Sequence, residues 1–157
     1  MTLTITTQTA DATKQLAAAL GRLLHGGEVI ELASDLGGGK TTFTQGLAAG
    51  LGFTGHVTSP TFTLSQIYKL PSKLELHHYD LYRLQETGVV GDELNEDLGD
   101  PEIITVIEWA DIAESDLPAD RLTVRFKLAS EEARELEFTA GGPKSTELLN
   151  KFQEAHR

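Results

Sequence analysis

The 157-residue chain contains no cysteine. That excludes a disulfide scaffold and thiolate metal sites, and it suits a reducing compartment. Long apolar runs are missing too: there is no stretch of about 18 or more consecutive apolar residues, so no spanning helix and no membrane association are expected. The opening Met1-Thr-Leu-Thr-Ile-Thr-Thr7 lacks the basic and apolar regions of a secretory leader. Basic residues are scarce, 13 against 24 acidic ones, for a net charge of −11. Such a balance opposes unaided contact with nucleic acid or anionic lipid. The expectation is one soluble, cytoplasmic domain spanning residues 1–157.

The negative charge is unevenly placed. Residues 1–70 carry four basic and four acidic residues, whereas residues 71–157 carry nine basic and twenty acidic ones. The 28 residues between Lys40 and Lys69 hold no Asp, Glu, Lys or Arg at all. Acidic side chains there would repel a bound polyphosphate, although a neutral, partly buried helix and loop would look the same.

Periodicity organises the chain into alternating elements. Thr2–Thr6 alternates as a short strand. Leu16, Leu20, Leu23 and Leu24 form one helical face that ends near Gly26-Gly27. Glu28–Ala33 reads as a strand, and Lys40 to about Leu51 as a helix. Residues 52–61, rich in Gly, Pro and hydroxyl side chains, read as a loop. Residues 63–70 and 74–79 flank Pro71-Ser72 as an antiparallel hairpin, and residues 84–98 suit one or two short helices. Ile103–Ile107 is a β-branched run fit for burial on both faces. A late hairpin over 122–128 and 135–138 precedes a terminal helix over 146–156. The fold class is α/β: a three-layer sandwich on a P-loop NTPase-like mixed sheet, with a parallel core and antiparallel hairpins at its margins.

The strongest chemical signal is Ser34-Asp-Leu-Gly37-Gly38-Gly39-Lys40-Thr41-Thr42, set between a strand and a helix. Glycines let backbone N–H groups turn inward as a nest, and the helix N-terminus points its unpaired N–H groups at the same spot. Lys40 would then meet the β- and γ-phosphates of a bound nucleotide, Thr41 would ligate Mg²⁺, and Thr42 would meet the α-phosphate. The full pattern has glycine where Ser34 stands, a position that tolerates a small side chain if its φ stays negative. Glu108, closing the Ile103–Ile107 run, is the candidate metal carboxylate. Asp80 would polarise the attacking water, bind the metal through water, or couple phosphate state to the neighbouring loop. Adjacent strand residues project to opposite faces, so His77 and His78 are poor co-ligands and read as packing residues. Arg83 reads as an ion-pair partner more than a phosphate ligand, and Trp109 as packing beside the site.

Gly37–Thr42, Ser59-Pro-Thr61-Phe62, His78-Tyr-Asp-Leu-Tyr-Arg83 and Ile107-Glu-Trp109, in this order and spacing, resemble the bacterial TsaE family, also called YjeE. The resemblance covers residues from about 10 to 110. It implies a P-loop ATPase, weak alone, that takes part in N6-threonylcarbamoylation of adenosine 37 in tRNAs reading codons that begin with A. Its partners would be the TsaB and TsaD proteins, with tRNA reached through them. Carried over by position, it implies ATP binding by Gly37, Gly38, Gly39, Lys40, Thr41 and Thr42, and Mg²⁺ binding by Thr41 and Glu108. Hydrolysis would fall to Asp80 and Lys40, and Ser59 and Thr61 would lie in a switch-like segment. Two other readings stand beside this one. The first is a nucleotide-dependent switch module with negligible hydrolysis, and the second a small-molecule kinase, for which no Arg-rich lid is visible.

Overall fold

A computed structural model describes residues 1–34, 39–58, 65–82 and 88–156, apart from the side chains at 89, 90 and 112. Seven strands, β1 (Thr2–Thr7), β2 (Val29–Ala33), β3 (Ser65–Lys69), β4 (Glu75–Asp80), β5 (Ile103–Glu108), β6 (Leu122–Leu128) and β7 (Arg134–Ala140), form one sheet. Their order is β1-β7-β6-β2-β5-β4-β3. β6, β2, β5 and β4 run parallel; β7 on one side and β3 on the other run antiparallel to them, and β1 at the edge pairs antiparallel with β7. The mixed sheet with a parallel centre is thus the expected α/β architecture. All six residues of β5 are buried, as its unbroken β-branched run requires of a strand covered on both faces.

Alternation sorts each strand into two layers. Ile30, Leu32, Leu76, Ile104 and Val106 face α1 (Ala10–Gly21), α2 (Lys40–Gly50) and α4 (Pro143–Ala155), which share one core. Val29, Tyr79 and Ile107 face α3 (Gly88–Asp97) and a 3₁₀ turn at Ala110–Asp116, which close a smaller core on the other side. Phe43 of α2 is fully buried and meets Phe126 edge-on, with ring centroids 5.5 Å apart. This pins the helix to β6.

α1 and α2 approach closely because glycines line their contact. A Cβ on Gly46 would lie 2.4 Å from the Lys14 carbonyl oxygen, and one on Gly50 2.2 Å from that of Ala18. α1 also stops earlier than its leucine spacing suggests. Leu23 and Leu24 bond back to Leu20 and Gly21 in tighter i→i+3 turns, so both lie beyond the helix while Leu24 stays buried. The 3₁₀ turn after β5 was not expected. Its signal is the i, i+3 spacing of Ala110 and Ala113, both buried against the smaller core.

α4 begins at Pro143, three residues ahead of the expected start, and proline suits that first helical position. Its cap comes from a distant residue. Asp120 accepts hydrogen bonds from the N–H groups of Lys144 and Ser145, both at 2.9 Å, and from the Ser145 hydroxyl at 2.6 Å. Among the described residues no helix is long and apolar enough to cross a membrane.

Candidate functional site

The site gathers where α2 starts and where β4 and β5 end. Gly39 precedes α2 with φ 104, a left-handed conformation that glycine adopts without strain, and its carbonyl accepts the first helical bond from Phe43 N–H at 2.9 Å. Lys40, Thr41 and Thr42 form the first turn, where helical N–H groups lack partners within the helix. Ser34 ends the approach from β2. Trp109 is the only described non-glycine residue with positive φ, so Ser34 keeps an ordinary backbone in the glycine position of the pattern.

Lys40 is buried, and its Nζ donates to the Ser34 carbonyl at 3.3 Å. The same Nζ lies 4.0 Å from Glu108 Oε1 and 3.9 Å from the centroid of the Trp109 ring. A cation over an indole face gains about 0.5–2 kcal/mol. Trp109 turns the chain out of β5 with φ 56 and ψ 52, which carries its ring under Lys40 and against Tyr82, whose centroid is 4.9 Å away.

β4 and β5 pair in register so that Asp80 sits opposite Glu108. Leu76, His78 and Asp80 share one face of β4 by alternation, and Ile104, Val106 and Glu108 share the same face of β5, which is the face that α2 covers. Glu108 is 3% exposed and His78 fully buried, with His78 Nε2 2.5 Å from Glu108 Oε2. Asp80 accepts from the Tyr82 N–H at 3.1 Å in a tight local turn. Burial pushes the Asp80 carboxyl above its ordinary range and the charge of Glu108 adds to that, while the Tyr82 N–H, His78 and Lys40 pull it down. An upward net shift moves a carboxyl toward the pH range in which it can take up a proton.

The donor set suits a hard divalent cation. Thr41 and Glu108 offer oxygen, and the Glu108 carboxylate, although buried, has its only hydrogen bond among the described residues on Oε2, with Oε1 on the Lys40 side. A magnesium-like ion held by one or two protein oxygens takes its other ligands from phosphate oxygens and water.

Of the residues singled out in the sequence, Gly39, Lys40, Thr41, Thr42, Asp80, Glu108 and Trp109 therefore meet at one end of the sheet. Gly37, Gly38, Ser59, Thr61 and Arg83 lie outside the described residues. The two histidines point to opposite faces, as strand geometry demands, yet neither only packs. His77 joins Asp97 of α3 (2.6 Å from Nδ1) and Glu75 (3.0 Å from Nε2), and Tyr79 donates to the same Asp97 carboxylate. The Glu75 contact lies within β4 at i, i+2 spacing, whereas the partners on α3 and β5 come from other elements, which no local pattern carries. A cavity of about 530 Å³ opens at the opposite end of the sheet, among Gly26, Gly27, Pro101, Asp120 and α4. Two of its charged lining residues are engaged internally: Arg121 binds Glu31 and Glu114, and Asp120 caps α4. The chemistry therefore stays with the loop end.

Known proteins resemble this chain in sequence and in fold. Residues 7–136 match the family described as Threonylcarbamoyl adenosine biosynthesis protein TsaE. A Bacillus subtilis protein named tRNA threonylcarbamoyladenosine biosynthesis protein TsaE is 40% identical over 137 residues, 84% of this chain and 82% of its own. A Treponema pallidum protein of the same name is 37% identical over 134 residues, 82% of this chain and 94% of its own. The crystal structure of Bacillus subtilis YdiB superposes with a TM-score of 0.80 at 33% identity, covering all of this chain and 97% of that one.

Proposed function

The chain belongs to the TsaE family of threonylcarbamoyl adenosine biosynthesis proteins, and from this we propose that it is the ATP-hydrolysing subunit of a cytoplasmic tRNA-modifying assembly. With TsaB and TsaD it serves N6-threonylcarbamoylation of adenosine 37 in tRNAs reading codons that begin with A. Its own contact with tRNA runs through those partners.

The observation that supports this most is the buried Lys40 at the start of α2, 4.0 Å from Glu108 and one strand from Asp80. A ligand bringing several negative oxygens suits a lysine and a helix N-terminus set beside a carboxylate that can hold a cation. In this reading the α2 N-terminus and Lys40 bind the ATP phosphates, and Thr41 and Glu108 hold Mg²⁺, which offsets the charge of the phosphate oxygens. Asp80 orients the attacking water and accepts its proton. Trp109 keeps Lys40 extended along the floor of the site.

Two measurements test this. Mg-ATP at 100 times its Kd raises stability by about 2.7 kcal/mol if it binds only the native chain. In a chain of this size that is a rise of about 5–10 °C in melting midpoint. Lys40→Ala loses this rise while keeping its unliganded midpoint within a few degrees. An unchanged wild-type midpoint at millimolar Mg-ATP overturns nucleotide binding. In single-turnover assays with TsaB and TsaD present, Asp80→Ala abolishes hydrolysis. If it spares hydrolysis but stops modification, Asp80 is a switch residue instead.

A further inference from the structure

We propose that His78 is a positioning residue for the cation site: it ties down one oxygen of Glu108 so that the other stays turned toward Lys40. This rests on the Mg-ATP reading above and adds a residue to it.

The geometry is asymmetric. Glu108 Oε2 lies 2.5 Å from His78 Nε2, whereas Oε1 lies on the other side, 4.0 Å from Lys40 Nζ. A buried carboxylate needs a hydrogen-bond donor to offset its lost hydration, and 4.0 Å is too long for Lys40 to be that donor. His78 is therefore the donor, and the Glu108 carboxylate is satisfied without drawing Lys40 away from the phosphate end of the site. The register fixes this arrangement. His78 stands opposite Val106, and Glu108 is the next residue on the same face of β5, so the two side chains meet diagonally between adjacent parallel strands.

Packing alone does not account for an imidazole here. His78 Nδ1 is the one buried side-chain nitrogen or oxygen among the described residues that has no hydrogen-bond partner. A leucine would fill the space without orphaning a polar atom. What imidazole adds is the Nε2–H on Glu108. Partners of this kind, which orient a metal-binding side chain through its second atom, typically change metal affinity 10–100-fold when removed. His77 supplies the internal control. It neighbours His78 in sequence, is also buried and is also bonded to carboxylates, but it faces α3 on the far side of the sheet.

The test titrates Mg²⁺ into the full chain with the non-hydrolysable β,γ-imido analogue of ATP, read by the fluorescence of Trp109, the only tryptophan. His78→Leu is expected to need at least about tenfold more Mg²⁺ for the half-maximal change, with affinity for the analogue in EDTA unchanged. His78→Gln places an amide N–H where Nε2 was, and it is expected to return the Mg²⁺ requirement to within about threefold of wild type. His78→Asn, whose amide falls short of Glu108, is expected to behave like His78→Leu and replaces it should the leucine variant not fold. His77→Leu is expected to lower the melting midpoint and leave the Mg²⁺ requirement alone. A wild-type requirement in His78→Leu or His78→Asn overturns the role of His78, as does a His78→Gln variant as impaired as either. If the wild-type chain itself binds the analogue with no response to Mg²⁺, the Mg-ATP reading falls and this role falls with it.

Discussion

Burial makes Asp80 a costly residue for the fold to keep ionised. Its carboxyl is raised above its ordinary value of 3.8 by burial and then by Glu108, against the pull of the Tyr82 N–H, His78 and Lys40. A carboxyl whose folded pKa exceeds its unfolded one favours the fold only while protonated. That contribution is complete below the unfolded value and is lost as pH rises through the folded one. At pH 7 the ionised group therefore weighs against the native state. Asp80→Asn keeps an acceptor for the Tyr82 N–H and removes the charge, so it is expected to melt above wild type at pH 7, with the gap closing toward pH 3.5 while hydrolysis is lost. Thermal melts at both pH values decide it, and a lower midpoint at pH 7 would refute the assignment. Lys40, Thr41 and Glu108 were legible because a loop motif and a strand end fix them locally. His78 was not, because its partner lies on β5, and only strand register brings the two together.

Among the elements, the pairing of α1 with α2 depends on backbone contact. Alanine is favoured over glycine in a helix interior by about 1 kcal/mol. At Gly46, however, the added Cβ would fall 2.4 Å from the Lys14 carbonyl oxygen, a backbone atom that cannot step aside. Gly46→Ala is expected to destabilise by about 1–3 kcal/mol net, seen as a lower midpoint in denaturant. A midpoint at or above wild type would show that the helices can separate at little cost. α4 depends on Asp120 in another way. Burial alone would raise that carboxyl, but the Ser145 hydroxyl and N–H and the N–H and charge of Lys144 outweigh it and hold it below 3.8. A lowered carboxyl stabilises above its unfolded value and loses that effect as pH falls through the folded one. Asp120→Ala is expected to cost about 1 kcal/mol at pH 7 and progressively less below pH 4, as paired melts would show. Helices and strands were legible from period and breakers. The early end of α1 and the cap of α4 were not, since Leu23 and Leu24 stay apolar in the tighter turns beyond the helix and Asp120 reaches α4 from the loop before β6.

Across the whole molecule, the parallel centre and antiparallel margins could be read from which runs were apolar on both faces and which alternated. Strand order could not, because it is settled by pairings between residues far apart in the chain. Those pairings also govern the assembly of the protein during synthesis. β2, which leads into the glycine motif, has β5 and β6 as its two neighbours, with Val29 opposite Thr105 and Ile30 opposite Leu122. A ribosome releases the loop early and the strands that brace it late. The motif is thus translated before β2 gains either of its neighbours. A nascent or truncated chain ending before β5 would carry the motif without Glu108 and with β2 unpaired, so the candidate site is complete only in a finished sheet.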